Sequence, residues 1–166
     1  MSIERRIVRI ENAPWLPTGS AAEVWVGTDL ATPEASIIVR LLLAARDAQG
    51  NRTFFCLPVA KGLDLPTLFL GRAPERMSVA AGLSELQQTI LGTTGHELRC
   101  VGYVRNVVPS PDASYPHPTP YAHVPVFLAP EGTVPVVEGT WVTVDAARED
   151  LAAAHWWPIV EHTIRG

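Results

Sequence analysis

Between residues 78 and 91 the apolar positions recur with the period of an α-helix. Four of them form one stripe that an amphipathic helix would bury, namely Val79, Leu83, Leu86 and Ile90. Ser78 is a favourable N-cap and Gly92 a favourable helix stop, so both ends of the predicted helix have a local cause. Gly82 inside the helix costs roughly 1 kcal/mol relative to Ala, which indicates that another element packs close to the backbone there.

Before this helix the pattern predicts extended segments separated by turns. Residues 3–10 alternate apolar and charged positions and fit either a strand or a short helix, and residues 22–26 predict a short strand. The apolar run 37–45 has the length of a buried strand. The segment 47–51 is rich in turn residues and marks a hairpin, after which residues 53–59 return as a strand.

After the helix, residues 97–108 alternate well enough to predict a strand. Residues 109–120 hold five prolines and no aliphatic residue larger than Ala, which predicts an irregular loop. Loops longer than about 12 residues are typically binding loops or disordered segments. The strand predicted over 121–129 contains Pro125, which is compatible only with an edge strand or a bulge.

The C-terminal part of the chain predicts two short strands and a helical region. The strands are expected over 134–137 and 140–144, and a helix is expected from Asp145 onward. Near-helical spacing continues over 147–164, where Pro158 should break or restart the helix.

Composition restricts the class of protein more than it indicates a function. The chain has 166 residues, of which 47% are hydrophobic and 18% charged, as expected for one ordinary globular domain. Its net charge of -4 gives no electrostatic reason to expect nucleic acid or an anionic membrane as a partner. Residues 1–9 are charged and no apolar run reaches the ~18 residues of a membrane span, so we expect a cytoplasmic protein.

The two cysteines and the N-terminal segment complete this picture. Cys56 and Cys100 lie in segments predicted as strands, which favours two reduced, buried thiols over a disulfide or a metal site. Residues 1–30 are interpreted as an N-terminal extension or edge strands, and residues 31–166 as the main part of a single domain. The N-terminal segment could equally supply the contact of a homodimer.

The stretch 63–92 resembles the signature box of the Nudix hydrolases. In that family a Gly and a loop Glu precede Arg-Glu-hydrophobic-any-Glu-Glu on a helix. Residues 81–86 stand where the family has Ala-Ala-any-Arg-Glu-Leu, so that Glu85 matches the first helical Glu. Gln88 and Thr89 stand where the family has two carboxylates that usually hold magnesium.

The resemblance extends to segments on both sides of the helix. Residues 65–68 match a Leu-Pro-Gly-Gly run with both glycines replaced, and Glu75 lies one residue from the register of the family's loop Glu. Glu138, followed by Trp141 and Val142, resembles the family's late Glu and Trp-Val. The resemblance therefore implies an α/β fold with a mixed, curved β-sheet flanked by helices.

The resemblance also implies a reaction, a metal and a set of residues for each. The reaction is magnesium-dependent hydrolysis of nucleoside diphosphate-linked compounds such as ADP-ribose or nucleotide sugars. The implied catalytic residues are Glu85 and Glu75, and the implied metal ligands are Glu85, Gln88 and Glu138.

The candidate ligand-binding residues come from the proline-rich loop and the strand after it. In family members that act on ADP-ribose, a Ser-Pro loop is followed by a strand ending Phe-Leu-Ala, and Ser110-Pro111 and residues 127–129 resemble this arrangement. Asp112 is a candidate because its carboxylate lies in the same loop, and His123 because its strand leaves that loop.

Two functions remain open at this point. Gln88 offers a neutral carbonyl and Thr89 a hydroxyl, so magnesium binding should be weakened or lost relative to a pair of carboxylates. The first function is a divergent hydrolase that uses Glu85 and Glu75. The second is a Nudix-fold module that binds nucleotides or a partner without catalysis. The expected partner is a small nucleotide-type ligand.

Overall fold

The computed structural model describes residues 3–165, and within them it contains ten strands and three helices. The strands are β1 (Arg5–Glu11), β2 (Ala21–Leu30), β3 (Ile38–Leu42), β4 (Ala44–Arg46), β5 (Arg52–Val59), β6 (Gly62–Asp64), β7 (Thr67–Phe69), β8 (Arg99–Val107), β9 (Tyr121–Leu128) and β10 (Thr140–Thr143). The helices are α1 (Val79–Leu91), α2 (Val144–Asp150) and α3 (Trp157–Arg165).

Two sheets organise these elements. The larger has six strands in the order β1-β2-β8-β9-β3-β7, in which only β3 and β9 run parallel. The smaller has four strands, in the order β10-β5-β4 with β6 paired to β5. The predicted α/β fold with a mixed sheet flanked by helices is confirmed.

Helix α1 packs on one face of the six-stranded sheet, as its apolar stripe predicts. Ser78 caps it by accepting a hydrogen bond from the Ala81 amide at 3.1 Å, and Gly92 ends it at a φ of 75°. A methyl group on Gly82 would lie 2.3 Å from Leu70 Cδ2, so the close approach expected from this glycine is present. The turn between β7 and α1 is therefore fixed against the helix.

Helix α3 packs on the opposite face of the same sheet. A methyl group on Gly102 of β8 would lie 2.8 Å from Cγ2 of Ile159, which is itself fully buried. Pro158 is the second residue of α3, a position where its missing amide costs no hydrogen bond. The expected interruption at Pro158 is thus a restart, since α2 ends at Asp150 and α3 begins at Trp157.

Two strand predictions were wrong in detail. The run 37–45 is divided at Leu43, so that β3 joins the larger sheet and β4 the smaller. Residues 134–137 form no strand, and Val134 and Val136 are 71% and 66% exposed. The amide of Val136 instead donates to the carbonyl of Ile90 at 2.7 Å, which holds this segment beside the C-terminal end of α1.

Pro125 lies in an interior strand and not at an edge, because β9 is paired on both sides. The pairing with the β3 side is irregular at this point. Ser36 pairs with His123 and Arg40 with Val126, so one side advances by four residues and the other by three. The predicted bulge therefore occurs, and it spares the sheet a hydrogen bond that Pro125 could not donate.

Both cysteines are free and buried, as predicted. Burial raises the pKa of Cys56 to about 12, with a further contribution from the negative charge of Asp64. Burial likewise raises the pKa of Cys100 to about 11. Thiols in this state are unreactive at neutral pH. Within residues 3–165, no helix combines the length and the apolar character needed to cross a membrane.

Candidate functional site

The residues proposed for catalysis and metal binding lie on α1 or in segments beside its two ends. Glu85 is exposed near the middle of the helix, and Glu75 is exposed in the segment before its N-cap. Glu138 is exposed two residues beyond Val136, which is bonded to the C-terminal end of the helix. Glu75 and Glu138 therefore belong to segments that approach opposite ends of α1.

The side chains around α1 fit a magnesium ion poorly. Glu85 is the only carboxylate in the helix, and the side-chain amide of Gln88 donates to the Gly92 carbonyl at 3.0 Å. Among residues 3–165 there is no group of three or more His, Cys, Asp or Glu side chains that could hold a metal ion. Magnesium is normally held by carboxylates together with substrate phosphates.

The proline-rich loop is closed at its base and ordered by its own side chains. The Val108 amide donates to the Pro120 carbonyl at 2.7 Å. The Asp112 carboxylate accepts hydrogen bonds from the Ser114 hydroxyl at 2.5 Å and the Ser114 amide at 2.9 Å, which lower its pKa. Ser110, Pro111 and Asp112 are all exposed. The carboxylate of Asp112 thus already organises the loop.

The inner side of this loop contacts the segment that leads into α1. The ring of His117 lies edge-on to Tyr115 and to Phe69, with ring centroids 5.5 and 6.3 Å apart. Burial lowers the pKa of His117, and the positive charges of Arg72 and Arg76 lower it further. Phe69, Arg72, Arg76, Tyr115 and His117 are called the junction below. It joins the proline-rich loop to the loop that resembles the Nudix box.

Polar groups in the junction lack partners. His117 Nδ1 and the Tyr115 hydroxyl oxygen are buried and have no hydrogen bond within the described residues, which costs about 1–3 kcal/mol for each such group unless a ligand or water supplies one. Arg76 Nε donates to the Gly71 carbonyl at 3.3 Å, which is the single hydrogen bond of this side chain in the described part of the protein. No ion pair among residues 3–165 involves Arg72 or Arg76. The junction therefore offers positive charge, hydrogen-bonding groups and aromatic surface together.

His123 lies away from the junction, in a buried polar cluster on the α1 side of the large sheet. Its Nδ1 is 2.5 Å from the Glu34 carbonyl and so carries the proton, which leaves Nε2 to accept from Arg105 Nε at 3.0 Å. Both ring nitrogens are thus engaged. Burial lowers the pKa of His123 and the charge of Arg105 lowers it further, against the effect of the Glu34 hydrogen bond.

The lowered pKa values of three histidines predict a loss of stability in mild acid. Burial is the main cause for His117, His123 and His155. Each ring binds a proton more readily in the unfolded chain, so the stability is complete above the unfolded pKa near 6.5 and falls as the pH decreases below it. Urea unfolding between pH 8 and 5.5 should show a slope of up to about 1.4 kcal/mol per pH unit for each histidine.

The matched variant for this effect is His123→Gln, which removes one of the three titrating rings. The variant should have a smaller slope than the native protein over the same pH range, whatever its stability at pH 8. A free energy of unfolding that is constant or increases from pH 8 to 5.5 would show that these rings are not held neutral by the fold.

Comparisons with known proteins assign no function to this site. No protein-family model and no curated protein matches the chain. Among solved structures, the chain is similar to the pyrophosphohydrolase BsRppH of Bacillus subtilis, crystallised as a Glu-to-Ala mutant, with a TM-score of 0.43 and 9% sequence identity. The match covers 74% of this chain and 65% of that chain, so this chain spans less than two thirds of the solved structure.

Proposed function

We propose that this protein binds a nucleotide-type ligand at the junction and does not hydrolyse it. The observation that supports the proposal is the pair of buried, unpartnered polar atoms on Tyr115 and His117, next to Arg72 and Arg76 without ion pairs. A phosphate group satisfies this combination, because its oxygens accept hydrogen bonds from guanidinium and hydroxyl groups and neutralise the arginines.

The aromatic side chains account for the rest of such a ligand. Phe69 lies on the edge strand β7 and is 47% exposed, so part of its side chain can contact a planar group. Base stacking on an aromatic side chain contributes about 1–3 kcal/mol. In this assignment the arginines and the polar atoms of Tyr115 and His117 bind the phosphate group, and Phe69 contacts the planar base.

Magnesium-dependent hydrolysis is the second candidate function. Glu75 favours it, because this exposed carboxylate lies between Arg72 and Arg76 in the same loop. Glu85 is the further carboxylate that the resemblance assigns to it. The substrates would be nucleoside diphosphate-linked compounds such as ADP-ribose or nucleotide sugars.

Isothermal titration with AMP, ADP-ribose and inorganic phosphate tests the binding proposal. We expect saturable binding of AMP and ADP-ribose, and weaker binding of phosphate because it lacks a planar group. Arg72→Ala and Arg76→Ala should each weaken AMP binding about tenfold or more, the effect of losing a charged hydrogen bond. Arg99→Ala is the matched control, since Arg99 is an exposed arginine on β8 that makes no ion pair within residues 3–165.

The two candidate functions give different results with magnesium present. The binding proposal predicts no release of phosphorylated product from ADP-ribose, and AMP affinity that is unchanged in Glu85→Gln. Magnesium-dependent turnover that disappears in Glu85→Gln would establish the hydrolase instead. If Arg72→Ala and Arg99→Ala weaken AMP binding equally, the ligand does not bind at the junction.

A further inference from the structure

A second cationic site lies beside the β5–β6 hairpin. A groove of about 540 Å³ opens between the β5–β6 hairpin and the turn before α3. Its polar lining residues are Arg40, Lys61, Asp64 and His155. It shares no residue with the junction. We propose that this groove binds a small organic anion through the open side of the Arg40 guanidinium.

Arg40 is held in the groove by one nitrogen only. Its side chain is 15% exposed, and Nη1 donates to Asp64 Oδ1 at 2.7 Å and to Thr67 Oγ1 at 3.1 Å. Within residues 3–165, neither Nε nor Nη2 of this guanidinium makes a hydrogen bond. An arginine that pairs with a carboxylate usually presents two parallel donors to it. Arg40 lines the groove, and one edge of its fork has no partner within residues 3–165.

Asp64 fixes the guanidinium without covering that edge. The same oxygen, Oδ1, also accepts a hydrogen bond from the Trp156 indole at 2.7 Å. Asp64 is therefore anchored by a buried tryptophan as well as by Arg40. This arrangement orients the free donors of Arg40 before any ligand arrives, which lowers the cost of ordering the site on binding.

The rest of the groove favours an anion with an organic body. Lys61 is exposed on the hairpin and forms no ion pair within residues 3–165, so the lining carries two fixed positive charges against one carboxylate. This excess of positive charge occurs in a chain whose net charge is -4. Leu63, Ala153 and Ala154 supply apolar surface, and the groove volume lies within the usual range of small-ligand sites.

His155 extends the groove with an aromatic rim. Its ring stacks on Trp15 with centroids 4.1 Å apart and an angle of 26° between the planes. No ring nitrogen of His155 has a hydrogen-bond partner within the described part of the chain. A planar ligand body could therefore contact this stacked pair while its carboxylate or phosphate group reaches Arg40.

Lys61 is the only lysine in the sequence, which allows a selective experiment. Reductive methylation with ¹³C-formaldehyde places one labelled lysine signal at the groove and retains its positive charge. The probes are benzoate and phenyl phosphate, which present a carboxylate and a phosphate on the same planar body. We expect the Lys61 signal to shift saturably with at least one probe, while the signal of the N-terminal amine does not shift.

Two variants decide whether Arg40 is responsible. Arg40→Lys retains the charge and removes the fork, and it should weaken probe binding at least tenfold. Arg72→Ala, in the junction, should leave probe binding within twofold of the native value, so failure of the proposed function would not affect this result. If Arg40→Lys fails to fold, Lys61→Ala provides the test on unlabelled protein, where tryptophan fluorescence should report probe binding at least threefold weaker.

The proposal is overturned if neither probe shifts the Lys61 signal saturably at probe concentrations up to about 10 mM, where even weak binding would be detected. It is equally overturned if Arg40→Lys, or Lys61→Ala in its place, binds the probes as tightly as the native protein. A saturable shift with phenyl phosphate alone would identify the ligand group as phosphate, and one with benzoate alone as carboxylate.

Discussion

Replacement of Glu23 by Gln should lower the free energy of unfolding by about 3 kcal/mol, because it removes the charge of a buried carboxylate that pairs with several arginines. The Glu23 side chain is 7% exposed. One oxygen accepts hydrogen bonds from Arg6 at 3.0 Å and from Arg9, and the other accepts from the Trp25 indole at 3.1 Å. Arg105 completes the set at 3.7 Å.

The charged state of Glu23 is favoured despite its burial. Burial alone raises the pKa of this carboxyl group, but the hydrogen bonds from Trp25, Arg6 and Arg9 outweigh it and lower the pKa overall. The loss lies at the lower end of the roughly 3–5 kcal/mol expected for breaking a buried pair, since Arg6 and Arg9 are partly solvated. For a protein of this size, about 3 kcal/mol corresponds to a decrease in Tm of roughly 6–12 °C.

Glu11→Gln is the matched control for this substitution. Glu11 also pairs with Arg9, but its side chain is 68% exposed, and exposed pairs contribute little. Thermal unfolding followed by circular dichroism should therefore give nearly the native Tm for Glu11→Gln. A Glu23→Gln variant that melts within about 2 °C of the native protein would show that the cluster is not a stabilising centre.

Gly102→Ala should also destabilise the protein by about 3 kcal/mol, the upper end of the cost of overpacking a core. A methyl group at this position would lie 2.6 Å from the Trp25 carbonyl oxygen and 2.8 Å from Ile159 Cγ2. Backbone atoms of β2 cannot move aside as a side chain can, so the methyl group should strain the pairing of β2 with β8 and push Ile159 of α3 away from the sheet. Urea unfolding should show a lower midpoint with an unchanged slope.

Gly82→Ala distinguishes backbone crowding from side-chain crowding. There the clash is with the end of the Leu70 side chain, which can rotate, and alanine gains roughly 1 kcal/mol of helix propensity. Its destabilisation should be clearly smaller than that of Gly102→Ala. The reverse order would mean that the packing of α3 on β8 is looser than the one we describe.

The sequence predicts an element correctly where the residues that form it lie within one short segment. Helix α1 was predicted because its apolar stripe and both caps lie within one segment, and Gly82 indicated the close packing of Leu70. The division of the run 37–45 was missed because residues buried on both sides show no alternation that would mark a change of sheet. Val134 and Val136 suggested a strand, although both are exposed beside the end of α1.

The candidate site is formed by contacts between residues that are far apart in the chain, and the pattern of apolar and polar residues does not predict such contacts. His117 meets Phe69, Arg72 and Arg76 only because the proline-rich loop folds back on the segment before α1, and the residues involved are far apart in the chain. His123 was selected for its position after that loop, but its partners Glu34 and Arg105 come from other segments. Arg72 and Arg76, which flank Glu75, are the local sequence feature from which an anion site could have been predicted.

The most direct test of the central claim is the imidazole nitrogen spectrum of His117 during a titration with AMP. With ¹⁵N-labelled protein, ligand binding at the junction should shift the His117 ring signals saturably, because Nδ1 gains a partner. The signals of His162, on the last turns of α3, should remain unchanged. A His117 spectrum that does not respond to AMP, while other histidines shift, would contradict the placement of the ligand at the junction.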